Sequence, residues 1–320
     1  MSGVPFVPVH VRAWDGECWP VESIPVWGAG PVEPFFQGTV ERWLTRPASL
    51  LFRTITSHRD LATVLADAPP IRVAGLVMHI SRCGSTLVAQ ALAERPRTVV
   101  LSEPATLDIA LTGHALGATL EERARLVRAL ALAQAAPFLP NGGDVVIKPE
   151  ATHIAHLPLL RAAFPEARWV FLHRRLEDVF AANVRVAGGK VLPGQLDVTP
   201  FGMRPQEPWE VPFERYVARL VAGIGRLALA QDALSPGLFM DYERLTTGGV
   251  EQIADYFQLP LDEAMRARVS ERLGRDAKDP SRPFSQRAAE PEEPHEDDAR
   301  VFAEVRAALV RRTQHPPQMG

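Results

Sequence analysis

The sequence predicts an α/β protein with a central, mainly parallel sheet flanked by helices. Three observations carry that expectation. Apolar runs of strand length recur along the chain. Each ends in a polar or charged tip. Each tip is followed by residues of helical periodicity. Strand, polar tip and helix in repetition imply parallel strands joined by right-handed crossovers.

The first repeat organises the rest. Residues 76–80 form a short apolar run, and Ser81-Arg82-Cys83-Gly84-Ser85 is small and polar around one glycine. From Thr86 onward Leu87, Val88, Ala91 and Leu92 recur at helical spacing. A strand, a tight loop and a helix start gather free backbone N–H groups and the positive end of a helix dipole at one point, which favours a phosphate or sulfate. Arg82 adds a forked positive charge, and Ser85 and Thr86 add hydroxyls. The pattern is not a Walker A loop, because Ile80 stands where its first glycine belongs and Ser85 replaces its lysine.

Later repeats follow the same plan. A strand at 98–101 ends in Ser102-Glu103-Pro104, and a carboxylate at the C-terminal end of a parallel strand is either a general base or a capping and surface group. Residues 120–136 form an amphipathic helix. A strand at 145–147 ends in Lys148-Pro149-Glu150, and a helix is expected from Thr152 to about residue 164. A strand at 169–172 ends in His173-Arg174-Arg175, with a helix carrying Asp178 and Asn183. A fifth strand at 237–240 ends in Asp241-Tyr242-Glu243. Helices are expected at 212–234, 250–257, 262–273 and 298–312.

Around this core lie segments of different texture. Prolines concentrate in 1–40, 193–212 and 280–294, which therefore read as irregular. Residues 1–70 read as an N-terminal extension packed on the core through Trp14, Trp19, Trp27, Phe35, Phe36 and Trp43, with helices at 39–44 and 50–65. Residues 71–290 form the main domain, and 291–320 an acidic loop and a C-terminal helix. The Gly- and Pro-rich stretch 188–211, with Lys190 and Arg204, reads as a loop over the active edge. The basic stretch 275–287 is either a phosphate clamp folded back on the site or a solvated tail.

Composition excludes several function classes. Lys and Arg total 35 against 38 Asp and Glu, a net charge of −3, so no basic field for nucleic acid is evident. No apolar run approaches the ~18 residues of a membrane span. The N-terminus lacks a basic and apolar leader, and the two cysteines, Cys18 and Cys83, fit no zinc spacing. A cytoplasmic protein without a metal centre is expected.

Five segments together resemble the sulfotransferases that use 3′-phosphoadenosine 5′-phosphosulfate (PAPS), the bacterial and tyrosylprotein-type members above all. Ser81 to Leu87 resembles the family's 5′-phosphosulfate loop. Ser102-Glu103-Pro104 stands where such members carry a Gly-Glu pair. Lys148-Pro149 with His153, Leu157, Leu160, Phe164 and Pro165 resembles the bacterial K-x-P…H-x-x-x-L-x-x-L-x-x-x-F-P block. Leu172-His173-Arg174-Arg175-Leu176-Glu177-Asp178-Val179 is similar to the 3′-phosphate motif, and Tyr242-Glu243-Arg244-Leu245 with Phe257 and Leu259-Pro260-Leu261 to the C-terminal block.

The resemblance implies a three-layer P-loop-like fold and a set of roles. Arg82, Cys83, Gly84, Ser85, Thr86 and Leu87 would hold the 5′-phosphosulfate, and Arg174 the 3′-phosphate. Glu103 would take the acceptor's proton, while Lys148 and Arg82 would stabilise charge on the bridging oxygen. PAPS would be the co-substrate, with a small molecule or peptide as acceptor. Three positions depart from the family: Cys83 replaces a Ser or other small residue, Leu176 a Pro, and Ala182 the serine that binds the 3′-phosphate, with Asn183 as a neighbouring donor. Of the histidines, His79 reads as a satisfied core residue, His173 as structural, and His153 and His156 as helix-face or supporting groups rather than bases. A nucleophilic Cys83 lacks a His/Asp constellation. The alternatives are a P-loop kinase-like phosphotransferase and a catalytically silent binding module of the same fold.

Overall fold

The computed structural model describes residues 4–28, 30–31, 33–66, 68–113, 118–276, 281–282 and 293–317. Its strands are β1 (Phe6–Val11), β2 (Pro20–Pro25), β3 (Thr54–Ser57), β4 (Ile71–His79), β5 (Thr98–Ser102), β6 (Gly143–Lys148), β7 (Arg168–His173) and β8 (Leu238–Asp241). The last five form one sheet in the order β5-β6-β4-β7-β8, and every pairing in it is parallel.

The centre of that sheet is β4, whose last seven residues are all buried. A strand covered on both faces must be apolar throughout, which is why its sequence is a continuous run rather than an alternation. Gly75 lies within it because a Cβ there would stand 2.4 Å from the Phe257 ring. Two groups of helices flank the sheet. Ser85–Ala93 packs with Val250–Tyr256 and Glu263–Leu273, while Phe213–Leu234 packs with Leu176–Arg185 and Glu296–Gln314. The helix Leu120–Ala135 begins with a full capping box between Thr119 and Glu122.

Several expectations are corrected. Residues before β4 form a three-stranded antiparallel sheet, β1-β2-β3, where the sequence suggested irregular chain. Its prolines fall where strands tolerate them: Pro8 at a register shift, Pro20 and Pro25 at the two ends of β2. The helix expected over 50–65 is two helices, Pro47–Leu51 and His58–Ala66, divided by β3. The helix Ala105–Thr112 was not foreseen. The helix from Thr152 is a 3₁₀ segment, Ala151–His156, followed by Leu157–Ala163, with Pro158 in the opening turn of the second piece. Stretch 188–211 holds short helical turns at Gly189–Val191, Thr199–Phe201 and Glu207–Glu210, and Val198, Phe201 and Met203 are buried.

One apolar core runs from Val7, Trp19 and Trp43 through the five-stranded sheet to Phe302 and Leu309. Among the described residues no helix is long and apolar enough to cross a membrane.

Candidate active site

The parallel register brings all five tips to one edge. Ser102 pairs with Lys148, Ile147 with Leu76, and His79 with Leu172, so the residues after each strand emerge side by side. A cleft of about 1180 Å³ lies along that edge. Arg82, Cys83, Gly84, Ser85, Thr86, Leu87, Glu103, Arg174 and Asn183 all line it. Lys148 does not line it; its side chain is fully buried and its Nζ donates to Oε1 of Glu103.

The anion loop has an uncommon backbone. Ser81, Arg82 and Gly84 have φ of 76, 49 and 82°. Three left-handed residues within four positions make a tight turn between β4 and the helix that follows. Gly84 is the N-cap of Ser85–Ala93 and supplies no side-chain cap, so the first N–H groups of that helix face the cleft uncovered. A Cβ at Gly84 would stand 2.7 Å from Leu245 and 3.0 Å from Tyr242, so space as well as φ requires glycine there.

The loop is fastened from below. The Ile80 N–H donates to the Leu172 carbonyl at 3.0 Å, and the Cys83 thiol donates to the same oxygen at 3.3 Å. Burial pushes the Cys83 thiol up to about 11, so it is a protonated anchor, not a nucleophile. His79 is 4% exposed. Its Nδ1 accepts the Ser81 N–H at 3.1 Å, which places the proton on Nε2, 3.0 Å from the Pro149 carbonyl that accepts it. Burial, then the nearby Lys148 charge, holds His79 well below the usual histidine range, so it stays neutral. It is indeed a satisfied core histidine, and it ties the β4 loop to the β6 tip.

Glu103 also lies in the left-handed region, φ 51°, and its backbone N–H continues the ladder to the Lys148 carbonyl at 2.7 Å. A non-glycine residue there costs of order 1–3 kcal/mol and persists where the surroundings over-determine it. The Glu103 side chain is 27% exposed and stands between buried Lys148 and the cleft. The Phe35 ring caps Lys148 at 5.3 Å, so the N-terminal part of the chain closes this end of the site.

At the other end Arg174 lies over the Tyr242 ring at 4.7 Å and is 3.1 Å from Asp178. Asn183 donates to the Val179 carbonyl on its own helix, and Ala182 lines the cleft beside it. Arg82 donates to the Val186 carbonyl at 2.8 Å. From stretch 275–287, Asp276 and Arg282 line the cleft, joined by a backbone bond at 2.9 Å. Lys278, Ser285, Gln286 and Arg287 lie outside the described residues.

Asp108, from the unforeseen helix, is the residue sequence reasoning missed. It accepts from His153 Nε2 at 2.8 Å and from Lys190 Nζ at 2.8 Å. Burial alone would raise its carboxyl, but those two partners hold it down at about 2. Its position five residues after Glu103, at the start of a helix following a strand tip, was the available signal. Among the described residues no cluster of His, Cys, Asp or Glu is arranged to hold a metal ion.

No family model matches the chain, and neither does any curated protein. Solved structures do resemble it. The sulfotransferase STF9 from Mycobacterium avium is 15% identical with a TM-score of 0.46, over 81% of this chain and 82% of that one. The sulfotransferase STF1 from Mycobacterium tuberculosis H37Rv is 17% identical with a TM-score of 0.41, over 67% and 72%. A sulfotransferase from Alicyclobacillus acidocaldarius is 13% identical with a TM-score of 0.43, over 77% and 97%. Likeness this distant decides neither substrate nor reaction, which rest on the cleft's own residues.

Proposed function

We propose that the chain transfers a sulfuryl group from PAPS to a hydroxyl or amine on a small molecule or peptide. One observation carries the reading: a lysine-free loop with an uncapped helix N-terminus shares a single cleft with Arg174 and with Glu103, which buried Lys148 holds from behind. The donor set fits a doubly anionic nucleotide. Backbone N–H groups of 84–87 with Arg82 suit a 5′-phosphosulfate, and Arg174 over Tyr242 suits a second anionic group. PAPS, when bound, supplies an activated sulfuryl group, so the protein's work is orientation and charge stabilisation.

Lys148 donates to Glu103 from behind and fixes its carboxylate at the cleft, where it can accept the acceptor's proton. The acceptor oxygen or nitrogen forms the new bond to sulfur as the bond from sulfur to the phosphate oxygen breaks. Charge on the leaving oxygen is met by the loop N–H groups that line the cleft, since Lys148 is buried behind Glu103. Arg82, now bonded to the Val186 carbonyl, can turn its guanidinium to the same charge.

Calorimetry with adenosine 3′,5′-bisphosphate tests the nucleotide site. Wild type should bind, and Arg82→Ala or Arg174→Ala should weaken binding roughly 10- to 100-fold, the worth of a charge-assisted hydrogen bond. No binding by wild type would end the proposal. A second reading, binding without transfer, is favoured by Ala182 at the cleft wall where the resembling family has serine. Glu103→Gln separates the two. Under the transfer reading it lowers turnover by roughly 10²- to 10⁴-fold while leaving nucleotide affinity in place.

A further inference from the structure

The tips are arranged in the order of the strands, and that order gives the cleft a direction. Tyr242 follows β8 and Arg174 follows β7 at one end, the anion loop follows β4 in the middle, and Glu103 follows β5 at the other end. Asp108, on the helix after β5, and His153, on the segment after β6, therefore lie at the Glu103 end, away from Arg174. With the nucleotide spanning β7 to β4, this end is left for the acceptor.

Here three elements meet at one carboxylate. Asp108 is fixed from behind: His153 is 3% exposed, its Nδ1 accepts the Glu150 N–H at 3.2 Å, and its Nε2 faces Oδ1 of Asp108. Oδ2 faces the cleft side and is met by the Lys190 ammonium at 2.8 Å. The two partners differ in kind. His153 is locked in the core. Lys190 is 31% exposed and follows Gly188 and Gly189, around which an added Cβ would meet nothing within 4 Å. The carboxylate is the built group, and the ammonium is the exchangeable one. Leu107, Pro104 and Val191 give the surrounding wall an apolar character.

We infer that Asp108 is the acceptor-anchoring group, that it recognises a cationic amine on an otherwise apolar acceptor, and that Lys190 holds the place of that amine until the acceptor displaces it. The assignment rests on the sulfuryl-transfer reading, since it names the acceptor class for the same cleft. An acceptor of this class carries its reacting hydroxyl or amine toward Glu103 and a second, protonated amine on Asp108. Because Lys190 competes for the same oxygen, its removal strengthens acceptor binding, the reverse of what a lysine that grips the acceptor would do.

Ligand-observed NMR titrations of the full chain test this with aminohexanol, hexanol and hydroxyhexanoate, each with and without adenosine 3′,5′-bisphosphate. Wild type should prefer aminohexanol. Lys190→Ala should bind aminohexanol roughly tenfold more tightly, the value of one charge-assisted contact no longer competed for. Asp108→Asn should bind aminohexanol no better than hexanol. Weaker or unchanged aminohexanol binding in Lys190→Ala overturns the inference, as does a wild-type preference for hydroxyhexanoate. Lys190 is a loop residue, so that variant keeps the test decisive if Asp108→Asn does not fold. Absence of nucleotide binding would remove the sulfuryl-transfer reading while the acceptor titrations stay readable. Nucleotide binding without the amine preference would remove the acceptor assignment alone.

Discussion

Gly84 shows how one residue sets the chemistry of the loop. Its φ of 82° and the 2.7 Å approach of Leu245 leave no room for a side chain. Gly84→Ala should lose about 1–3 kcal/mol of stability, the size of a strained left-handed residue. It should also weaken adenosine 3′,5′-bisphosphate binding, because relief of the clash moves the N–H groups of 85–87. Thermal melts and calorimetry on one preparation check both. Cys83 next to it gives a second prediction. A fully buried thiol pushed up to about 11 is unreactive at neutral pH, whereas Cys18 is half-buried. Ellman's reagent should therefore count one thiol in the native protein and two after denaturation. Two fast thiols in the native state would contradict the anchoring role. Arg82 and Gly84 were placed in the loop by residue type and spacing, whereas Cys83, expected among the phosphosulfate-holding residues, turns its thiol to the Leu172 carbonyl. His79 was legible as a core group but not as a tie between two tips, because its partners are the Ser81 N–H and the Pro149 carbonyl. Backbone partners leave no mark in a sequence.

At the scale of the element, a parallel sheet has one chemical edge and one structural edge. The tips gather the cleft at the C-terminal edge. At the opposite edge, Asp144 at the start of β6 accepts from Arg72 and Arg95, both at 2.9 Å. Asp144→Ala takes from two partly buried arginines the carboxylate they share and should cost about 1–3 kcal/mol. Nucleotide affinity should stay at the wild-type value. A large loss of affinity with little loss of stability would mean that the two edges are not separable in this way. The five parallel strands were readable because strands buried on both faces are apolar without alternation. The strands β1 to β3 were not. Pro8, Pro20 and Pro25 mask their pattern, and the exposed β3 has neither length nor apolar periodicity. Ala105–Thr112 escaped because Pro104 precedes it and no side chain caps it, so a helix start signal was missing. Asp108 escaped with it.

The whole molecule carries a consequence of how many histidines it buries. His58, His79, His156 and His173 come from four different segments, and burial holds each below the ordinary value of 6.5, His156 at about 4. His156 is further disfavoured as a cation by His153, whose ring lies 6.0 Å away. His173 is opposed by burial and partly supported by Asp241 at 3.5 Å. A histidine with a depressed folded-state value keeps its full stabilising share above 6.5. Below that the unfolded chain binds the proton first, so stability falls as pH drops from about 6.5 toward about 4. Each proton taken up on unfolding contributes a slope of about 1.4 kcal/mol per pH unit within that window. Asp108 acts in a separate window, because its carboxyl is held at about 2 against an ordinary 3.8, and its share is lost only between those values. Urea unfolding from pH 7.5 to 4.5 should therefore show stability flat above about 7 and falling steeply below 6.5, well before the carboxylates titrate. His156→Gln should make that fall shallower by one proton's slope, since glutamine keeps a polar side chain without the charge. A stability that stays level down to pH 5 would mean that the buried imidazoles gain partners on protonation that outweigh their burial.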